Sequence, residues 1–162
     1  MRWVLALLLT HFLADAASGQ DVIRAGIVGC DTSHVIAFTT LINDAAATGA
    51  LAKVQVTCAY PGGSPDLASS RDRVQGYTEQ LRAAQVTIVN SIAELVEHCD
   101  VILLESVDGR VHLEQFRQVA KGKPVFIDKP AAASLADVIA IFRIAKETGT
   151  PCFSASALRA LH

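Results

Sequence analysis

The sequence lacks most of the features that mark specialised classes of protein. Its 162 residues include four cysteines with no CxxC pair, a single tryptophan and a single methionine, and no low-complexity segment. The formal net charge of -2 leaves no basic excess for nucleic-acid binding. A hydrophobic fraction of 51% is too high for a disordered chain. We therefore expect one globular domain that binds a small molecule and no nucleic acid.

No apolar run is long enough to cross a membrane as a helix, which takes about 20 residues. Residues 1–20 do contain Arg2, an apolar stretch from Trp3 to Leu13, and then Ala14-Asp15-Ala16. This order is typical of a secretory signal peptide, and its alternatives are an N-terminal helix or a misassigned start. We expect cleavage near Ala17 and a periplasmic or secreted protein with no permanent membrane anchor.

The four cysteines lie in or beside apolar runs, and they have no metal-ligand spacing relative to the five histidines. Cys30, Cys58, Cys99 and Cys152 are therefore predicted to be small core-filling thiols. Export would place them in an oxidising compartment, so a disulfide is an open alternative. The spacing assigns no metal site.

After residue 21 the chain alternates between two hydrophobic periodicities. Short β-branched runs predict buried strands at Val22–Val28, Val54–Ala59, Val86–Val89, Val101–Leu104, Val125–Ile127 and Pro151–Ser154. Helical spacing places three apolar stripes against the sheet: Val35, Phe38, Ile42 and Ala45; Leu113, Phe116 and Ala120; Leu135, Val138, Phe142 and Ala145. Residues 21–162 are thus predicted to form an α/β fold. Its doubly wound, mainly parallel sheet would be Rossmann-like, with helices on both faces.

Turn and cap residues agree with this alternation. Ser91 and Glu94 have capping-box spacing, and Ser134 with Asp137 offers a weaker version. Three glycines follow helical stretches, where a left-handed residue is favoured: Gly49, Gly122 and Gly149. The segment from Tyr60 to Ser70, rich in proline, glycine and serine, is interpreted as one exposed loop.

Polar residues follow several of the predicted strands. Because parallel strands end at one edge of the sheet, these residues should share a ligand site. They are Asp31, Thr32, Ser33 and His34 after the first strand, Tyr60 and Ser64 after the second, Glu105, Ser106 and Asp108 after the fourth, and Asp128 and Lys129 after the fifth.

The first turn fits a dinucleotide fingerprint only in part. The pattern G-x-G-x-x-G/A places Gly29, Asp31 and His34 at its three fixed positions, and only Gly29 matches. We expect the Asp31 carboxylate to oppose a diphosphate by its bulk and its charge, while the helix amides favour an anion. The second strand ends without an acidic residue, and Tyr60 could stack on an adenine or cap the core.

At the fifth strand the segment PVFIDKPAAASLADVIAIFRIAKETGTP resembles the strand, E-K-P motif and helix of the Gfo/Idh/MocA oxidoreductases. His112, within VHLEQFRQVAKGKPVFIDKP, lies where that family places a histidine upstream of the motif. With IRAGIVGCDTSHVIAF included, the similarity spans about residues 22 to 159. Asp128 stands where the family has glutamate, and Val107-Asp108-Gly109 replaces a T-P-N-like turn.

This resemblance implies an NAD(P)-binding domain of an oxidoreductase that acts on a sugar-like or polyol-like substrate. It implies Lys129 and His112 as catalytic residues. The expected cofactor-binding residues are Gly29, Cys30, Asp31, Thr32, Ser33, His34, Tyr60, Glu105, Ser106, Lys129 and Pro130. Family members continue into a second α/β domain, so we expect this chain to be a truncated or split form, or a domain that binds without turnover.

A second hypothesis comes from the loop chemistry. Asp31, His34, Glu105, Asp108 and Asp128 could hold a polyol or a hard cation, which would make the protein an extracytoplasmic binding module. Both hypotheses place the site on the same edge of the sheet. The sequence leaves open NAD against NADP, the identity of the substrate and homo-oligomerisation.

Overall fold

The computed structural model describes residues 22–156. The predicted signal peptide, residues 1–20, lies outside the described residues. The strands are β1 Ile23–Val28, β2 Val54–Tyr60, β3 Thr87–Ile88, β4 Val101–Leu104, β5 Val125–Asp128 and β6 Cys152–Ala155. The helices are α1 His34–Ile42, α2 Ala68–Arg71, α3 Val74–Ala83, α4 Ile92–His98, α5 His112–Val119 and α6 Leu135–Thr148.

The six strands form one parallel sheet in the order β3-β2-β1-β4-β5-β6. From β1 the chain builds outward through β2 and β3, and it then returns to add β4, β5 and β6 on the other side. The direction of winding therefore reverses between β1 and β4, where ligands bind in folds of this type. The predicted doubly wound sheet is confirmed.

Two hydrophobic cores cover the two faces of the sheet. Successive residues of β1 point to opposite faces, so Ile27 enters one core and Val28 the other. The core with Ile27 includes Val35 of α1 and Leu81 of α3; the core with Val28 includes Leu95 of α4, Phe116 of α5 and Ile141 of α6. Cys30, Cys58 and Cys99 are buried in these cores as free thiols, as predicted, and Cys152 is half-buried.

The two predicted N-terminal helix caps are present, and one of the three predicted C-terminal glycines caps its helix. The Ser91 hydroxyl accepts a hydrogen bond from the Glu94 backbone N–H at 3.1 Å, and the Ser134 hydroxyl accepts one from Asp137 at 3.1 Å. Gly49, Gly122 and Gly149 all have left-handed φ values, of 63°, 84° and 64°. Gly149 is the C-cap residue of α6, whereas α1 and α5 are capped by Asn43 and Ala120, so the prediction for Gly49 and Gly122 as helix ends is wrong. The two serine contacts satisfy backbone groups that a helix end leaves without partners.

Two of the predicted apolar stripes are partly wrong. Ala45 lies beyond the end of α1 and is exposed. On α6, Leu135 is 75% exposed and Phe142 is 45% exposed, whereas Ile141 is 1% exposed. Apolar residues occur on several sides of α6, so more than one stripe fits the helical period, and only packing against the sheet selects among them.

The segment from Tyr60 to Ser70 is not the exposed loop that its composition predicts. Ser64 and Ser70 are buried, and α2 begins within the segment at Ala68. The segment instead folds back over the end of β1. Within residues 22–156, no helix combines the length and the apolar character that a membrane crossing requires.

Candidate functional site

Gly29 forms the tight turn between β1 and α1. Its φ is +91°, and a Cβ at this position would lie 2.2 Å from the Ser106 hydroxyl and 2.6 Å from the Ser106 backbone nitrogen. Gly62, beyond β2, is close by, since a Cβ there would lie 3.4 Å from the Gly29 Cα. Gly29 is buried, and Ser106 and Gly62 fill the space around it, so only glycine lets the ends of β1, β2 and β4 pack this closely.

The backbone amides of this turn divide into two groups. Those of Gly29 and Cys30 donate to the carbonyls of Tyr60 and Pro61 at 2.9 and 2.6 Å, so they hold the loop after β2 in place. In the part of the chain that the structure describes, the N–H groups of Thr32 and Ser33 make no hydrogen bond. These two amides precede α1, where the helix dipole favours an anion.

The Asp31 carboxylate is held inside the protein. The residue is fully buried, one carboxylate oxygen accepts from the Ser70 hydroxyl at 2.6 Å, and the other accepts from the Val107 N–H at 2.9 Å. The bulk of the Asp31 side chain therefore does not project into solvent, whereas the effect of its charge on a diphosphate stays a prediction. Asp31 joins the ends of β1 and β4 to the loop after β2.

Cys30 and Tyr60 also contribute to the interior. Burial raises the pKa of the Cys30 thiol to about 12, and the nearby Asp31 charge adds to this increase. The thiol also lies 3.6 Å from the Tyr60 carbonyl. The Tyr60 side chain packs against the larger core, which favours its role as a core cap over stacking on an adenine.

Glu105 is a fully buried acid immediately after β4. Neither of its carboxylate oxygens has a hydrogen-bond partner in the described part of the chain. Burial raises the pKa of Glu105 to about 8, the charge of Asp128 adds to this shift, and the charge of Lys129 opposes it. A buried carboxyl with no donor is costly, because water no longer solvates its charged form.

The side chains of Asp108 and Ser106 make no hydrogen bond to the Glu105 carboxylate and are engaged with other residues of the protein. The Asp108 carboxylate pairs with Arg110 at 2.7 Å, which holds the pKa of Asp108 well below its usual range. Arg110 also pairs with Asp66 at 2.9 Å, so it links the loops after β2 and β4. The Ser106 hydroxyl donates to the Gln115 side chain at 2.9 Å. The five residues predicted to hold a polyol or a cation therefore do not all converge on one point. They are Asp31, His34, Glu105, Asp108 and Asp128.

Three predicted residues do converge. His34 Nδ1 lies 2.6 Å from a carboxylate oxygen of Asp128, the last residue of β5. One ligand atom from each of His34, Glu105 and Asp128 lies within 4.8 Å of the other two. Asp128 is 3% exposed, whereas the His34 side chain is 26% exposed. This cluster, which we call the acid–histidine cluster, is thus closed on the protein side and reachable from solvent.

Lys129 and His112, the expected catalytic pair, occupy different environments. Lys129 and Pro130 are exposed at the end of β5. His112 is fully buried, with Nε2 2.7 Å from the Ser106 carbonyl and Nδ1 3.2 Å from the Ala131 carbonyl. A neutral ring can donate to only one of these oxygens. His112 therefore connects the segments after β4 and β5 beneath the surface, and in this structure Lys129 is the one of the two that faces solvent.

Four residues of the site region were not predicted from the sequence. Ser70 and Gln115 are buried partners of Asp31 and Ser106, and Asp66 and Arg110 form the ion pairs described above. The contacts of Ser70 with Asp31, of Gln115 with Ser106 and of Arg110 with Asp66 span 9 to 44 residues of chain, which local spacing does not reveal. The Arg110–Asp108 pair spans two residues. Gln115 follows His112 by three residues on α5, so helical periodicity places both on one face.

The comparisons with known proteins identify the family and the fold. The family model for GFO_IDH_MocA, described as "Oxidoreductase family, NAD-binding Rossmann fold", matches residues 23–156. A search of curated proteins gave no match.

Several solved structures share the fold. A dehydrogenase (MviM) from Clostridium difficile is 16% identical with a TM-score of 0.62, covering 82% of this chain and 39% of its own. The WlbA dehydrogenase of Chromobacterium violaceum, solved with NADH and UDP-GlcNAcA, is 15% identical with a TM-score of 0.62, covering 83% and 35%. The Bordetella pertussis WlbA, solved with the same ligands, is 17% identical with a TM-score of 0.62, covering 83% and 37%. The chain thus spans less than two fifths of the length of these proteins.

Proposed function

The chain belongs to the Gfo/Idh/MocA oxidoreductase family, and from this membership we propose that it is the cofactor-binding part of a dehydrogenase for a sugar-like or polyol-like substrate. The NAD-binding family model spans residues 23–156, nearly all of the described chain. Solved relatives that bind NADH and a sugar nucleotide support the substrate class. Hydride transfer would be the chemistry of the nicotinamide.

The residues at the strand ends fit a dinucleotide. The amides of Thr32 and Ser33, just before α1, would hold the diphosphate. Beside them, a depression of about 120 Å³ lies at the end of β2, lined by Gly62, Gly63, Ser64, Pro65, Arg71 and Val74. This depression contains no carboxylate to bind ribose hydroxyls. Arg71 places a positive charge at its edge, so both NADH and NADPH should be tested.

The position of Lys129 is the observation that carries the proposal. Lys129 is exposed at the end of β5, and its charge acts on Glu105 at the end of the neighbouring β4. An ammonium group at this edge can donate hydrogen bonds to a substrate hydroxyl or carboxylate. Lys129 would position the substrate, and the buried His112 would hold the segments on either side of it.

The test is the variant Lys129→Met, which keeps the apolar stem and removes the charge. Titration calorimetry with NADH, NADPH and inositol gives the comparison. The variant should bind the cofactor as the wild type does. The variant should bind inositol at least about tenfold more weakly, as expected for one lost charged hydrogen bond. The matched control is Lys146→Met, an exposed lysine in the last turn of α6. Unchanged melting temperatures are expected for both variants. A wild-type protein that binds neither cofactor would contradict the proposal.

A binding module without turnover is the second candidate, and the acid–histidine cluster favours it. Two buried carboxylates and one imidazole at the strand ends suit a polyhydroxyl ligand better than a diphosphate. On this hypothesis the same titrations would show inositol binding while both nucleotides stay unbound.

A further inference from the structure

We propose that His34, Glu105 and Asp128 form a binding site for one divalent transition-metal ion. The three residues come from separate elements: the start of α1, the loop after β4 and the end of β5. The fold itself brings them together, because β1, β4 and β5 are neighbours in the sheet and all end at the same edge. This inference does not depend on cofactor binding or on catalysis.

Glu105 supplies the observation that points to a ligand. Its side chain is 0% exposed, and both of its oxygens lack a partner in the described part of the chain. One of its oxygens lies within 4.8 Å of ligand atoms of His34 and Asp128. Buried polar atoms are nearly always hydrogen-bonded, so an unpartnered carboxyl with one oxygen beside the Asp128 carboxylate requires an explanation. A cation between Glu105 and Asp128 would supply the partner that this Glu105 oxygen lacks.

The donor set selects the kind of ion. Ca²⁺ and Mg²⁺ prefer ligand shells made of oxygen, and structural zinc sites use mostly cysteine and histidine. One imidazole with two carboxylates suits Mn²⁺, Fe²⁺, Co²⁺ or Zn²⁺, with three protein ligands and an open position. The partly exposed His34 edge is where that open position would face solvent.

The geometry needs only small adjustments. Ligand atoms that bind one ion at about 2.1 Å lie roughly 3 to 4 Å apart. In the structure the His34–Asp128 pair is closer than this, at 2.6 Å, and every ligand atom lies within 4.8 Å of the others. The competing explanation is a metal-free cluster in which a proton joins His34 to Asp128 and Glu105 stays protonated.

Cobalt binding to the untagged full-length protein distinguishes these explanations. After EDTA treatment and buffer exchange, Co²⁺ should bind one per chain and produce visible absorption bands that Zn²⁺ abolishes. A millimolar excess of Mg²⁺ should leave the bands in place. Glu105→Gln preserves the size of the side chain and should weaken Co²⁺ binding at least about tenfold, and His34→Gln should do the same.

Matched controls separate this site from adventitious binding. Glu97→Gln and His98→Gln change exposed residues of the same types at the end of α4, and both should bind Co²⁺ as the wild type does. Far-UV circular dichroism checks that each variant folds; if Glu105→Gln does not, the partly exposed His34→Gln decides. The proposal is overturned if the wild type binds no Co²⁺ at micromolar concentrations, or if folded site variants bind it as the controls do. NADH titration of the same samples reports on the proposed function separately.

Discussion

At the scale of single residues, Asp31 shows how a position in a ligand-binding fingerprint can become structural. Its carboxylate accepts hydrogen bonds from Ser70 and from the backbone of Val107, and no part of the residue is exposed. Hydrogen bonds to a charged group contribute about 1.5 to 3 kcal/mol each. Three loops around the site therefore depend on one side chain.

We expect Asp31→Ala to lower the free energy of unfolding by about 2 to 4 kcal/mol, because the Ser70 hydroxyl and the Val107 N–H both lose their partner. Urea denaturation measures the effect. The control is Asp72→Ala, whose carboxylate pairs with Arg71 at the surface and should matter little. If Asp31→Ala instead keeps its stability and binds NADH more tightly, the carboxylate faces the ligand after all.

At the scale of elements, strands were more predictable than helix faces. β4 was predicted to the residue, and the other five strands differed by one residue at one or both ends, because short β-branched runs between glycine and proline have few alternatives. The helix α3 was not predicted, since VQGYTEQLRA contains a glycine and few apolar residues. The apolar stripe of α6 was partly misplaced for the opposite reason, an excess of apolar residues.

Two truncations on α6 test the observed face. Ile141→Ala should cost about 2 to 5 kcal/mol, because Ile141 packs in the larger core between α6 and the sheet. Leu135→Ala, in the same helix but 75% exposed, should change stability by less than about 0.5 kcal/mol. Chemical denaturation of both variants gives the comparison, and equal losses would mean that the helix is rotated relative to the structure.

A pair of charges joins β1 to the residue before β4, and it makes stability depend on pH. Arg24 donates two side-chain hydrogen bonds to Asp100, at 2.8 and 3.0 Å, which lowers the pKa of Asp100 from 3.8 to about 2. Since the folded state binds the proton less readily, this stabilisation is complete above about pH 4 and is lost as the pH falls through about 2.

Asp100→Asn should therefore unfold at lower urea concentrations than the wild type at pH 7, and the difference should shrink steadily toward pH 2. Both side chains are more than two fifths exposed, so added salt should also reduce the difference. A difference that stays constant from pH 7 to pH 2 would show that the pair contributes by its shape rather than by its charge.

At the scale of the whole molecule, the sheet edge that carries the site could be predicted from the sequence. Which side chains contact one another within the site could not. Parallel strands end on one side, so polar residues after β1, β4 and β5 had to share that side. Which of them meet depends on side-chain direction: His34, Glu105 and Asp128 converge, while Asp31 and Asp108 are held by partners distant in sequence. Long-range contacts of this kind leave no periodic signal in the chain.

The cellular location is also a property of the whole molecule, and residues 1–20 carry the prediction. Arg2 precedes the apolar stretch Trp3–Leu13, and Ala14-Asp15-Ala16 follows it, which is the order of a secretory signal peptide. In the native host we expect the envelope or secreted fraction to contain protein that begins near Ala16 or Ala17, as intact-mass measurement would show.

Leu8→Arg places a charge in the apolar stretch and should retain the uncleaved protein in the cytoplasm, while the conservative Leu8→Ile should be exported normally. Wild-type protein found in the cytoplasm with Met1 through Gln20 still attached would contradict export.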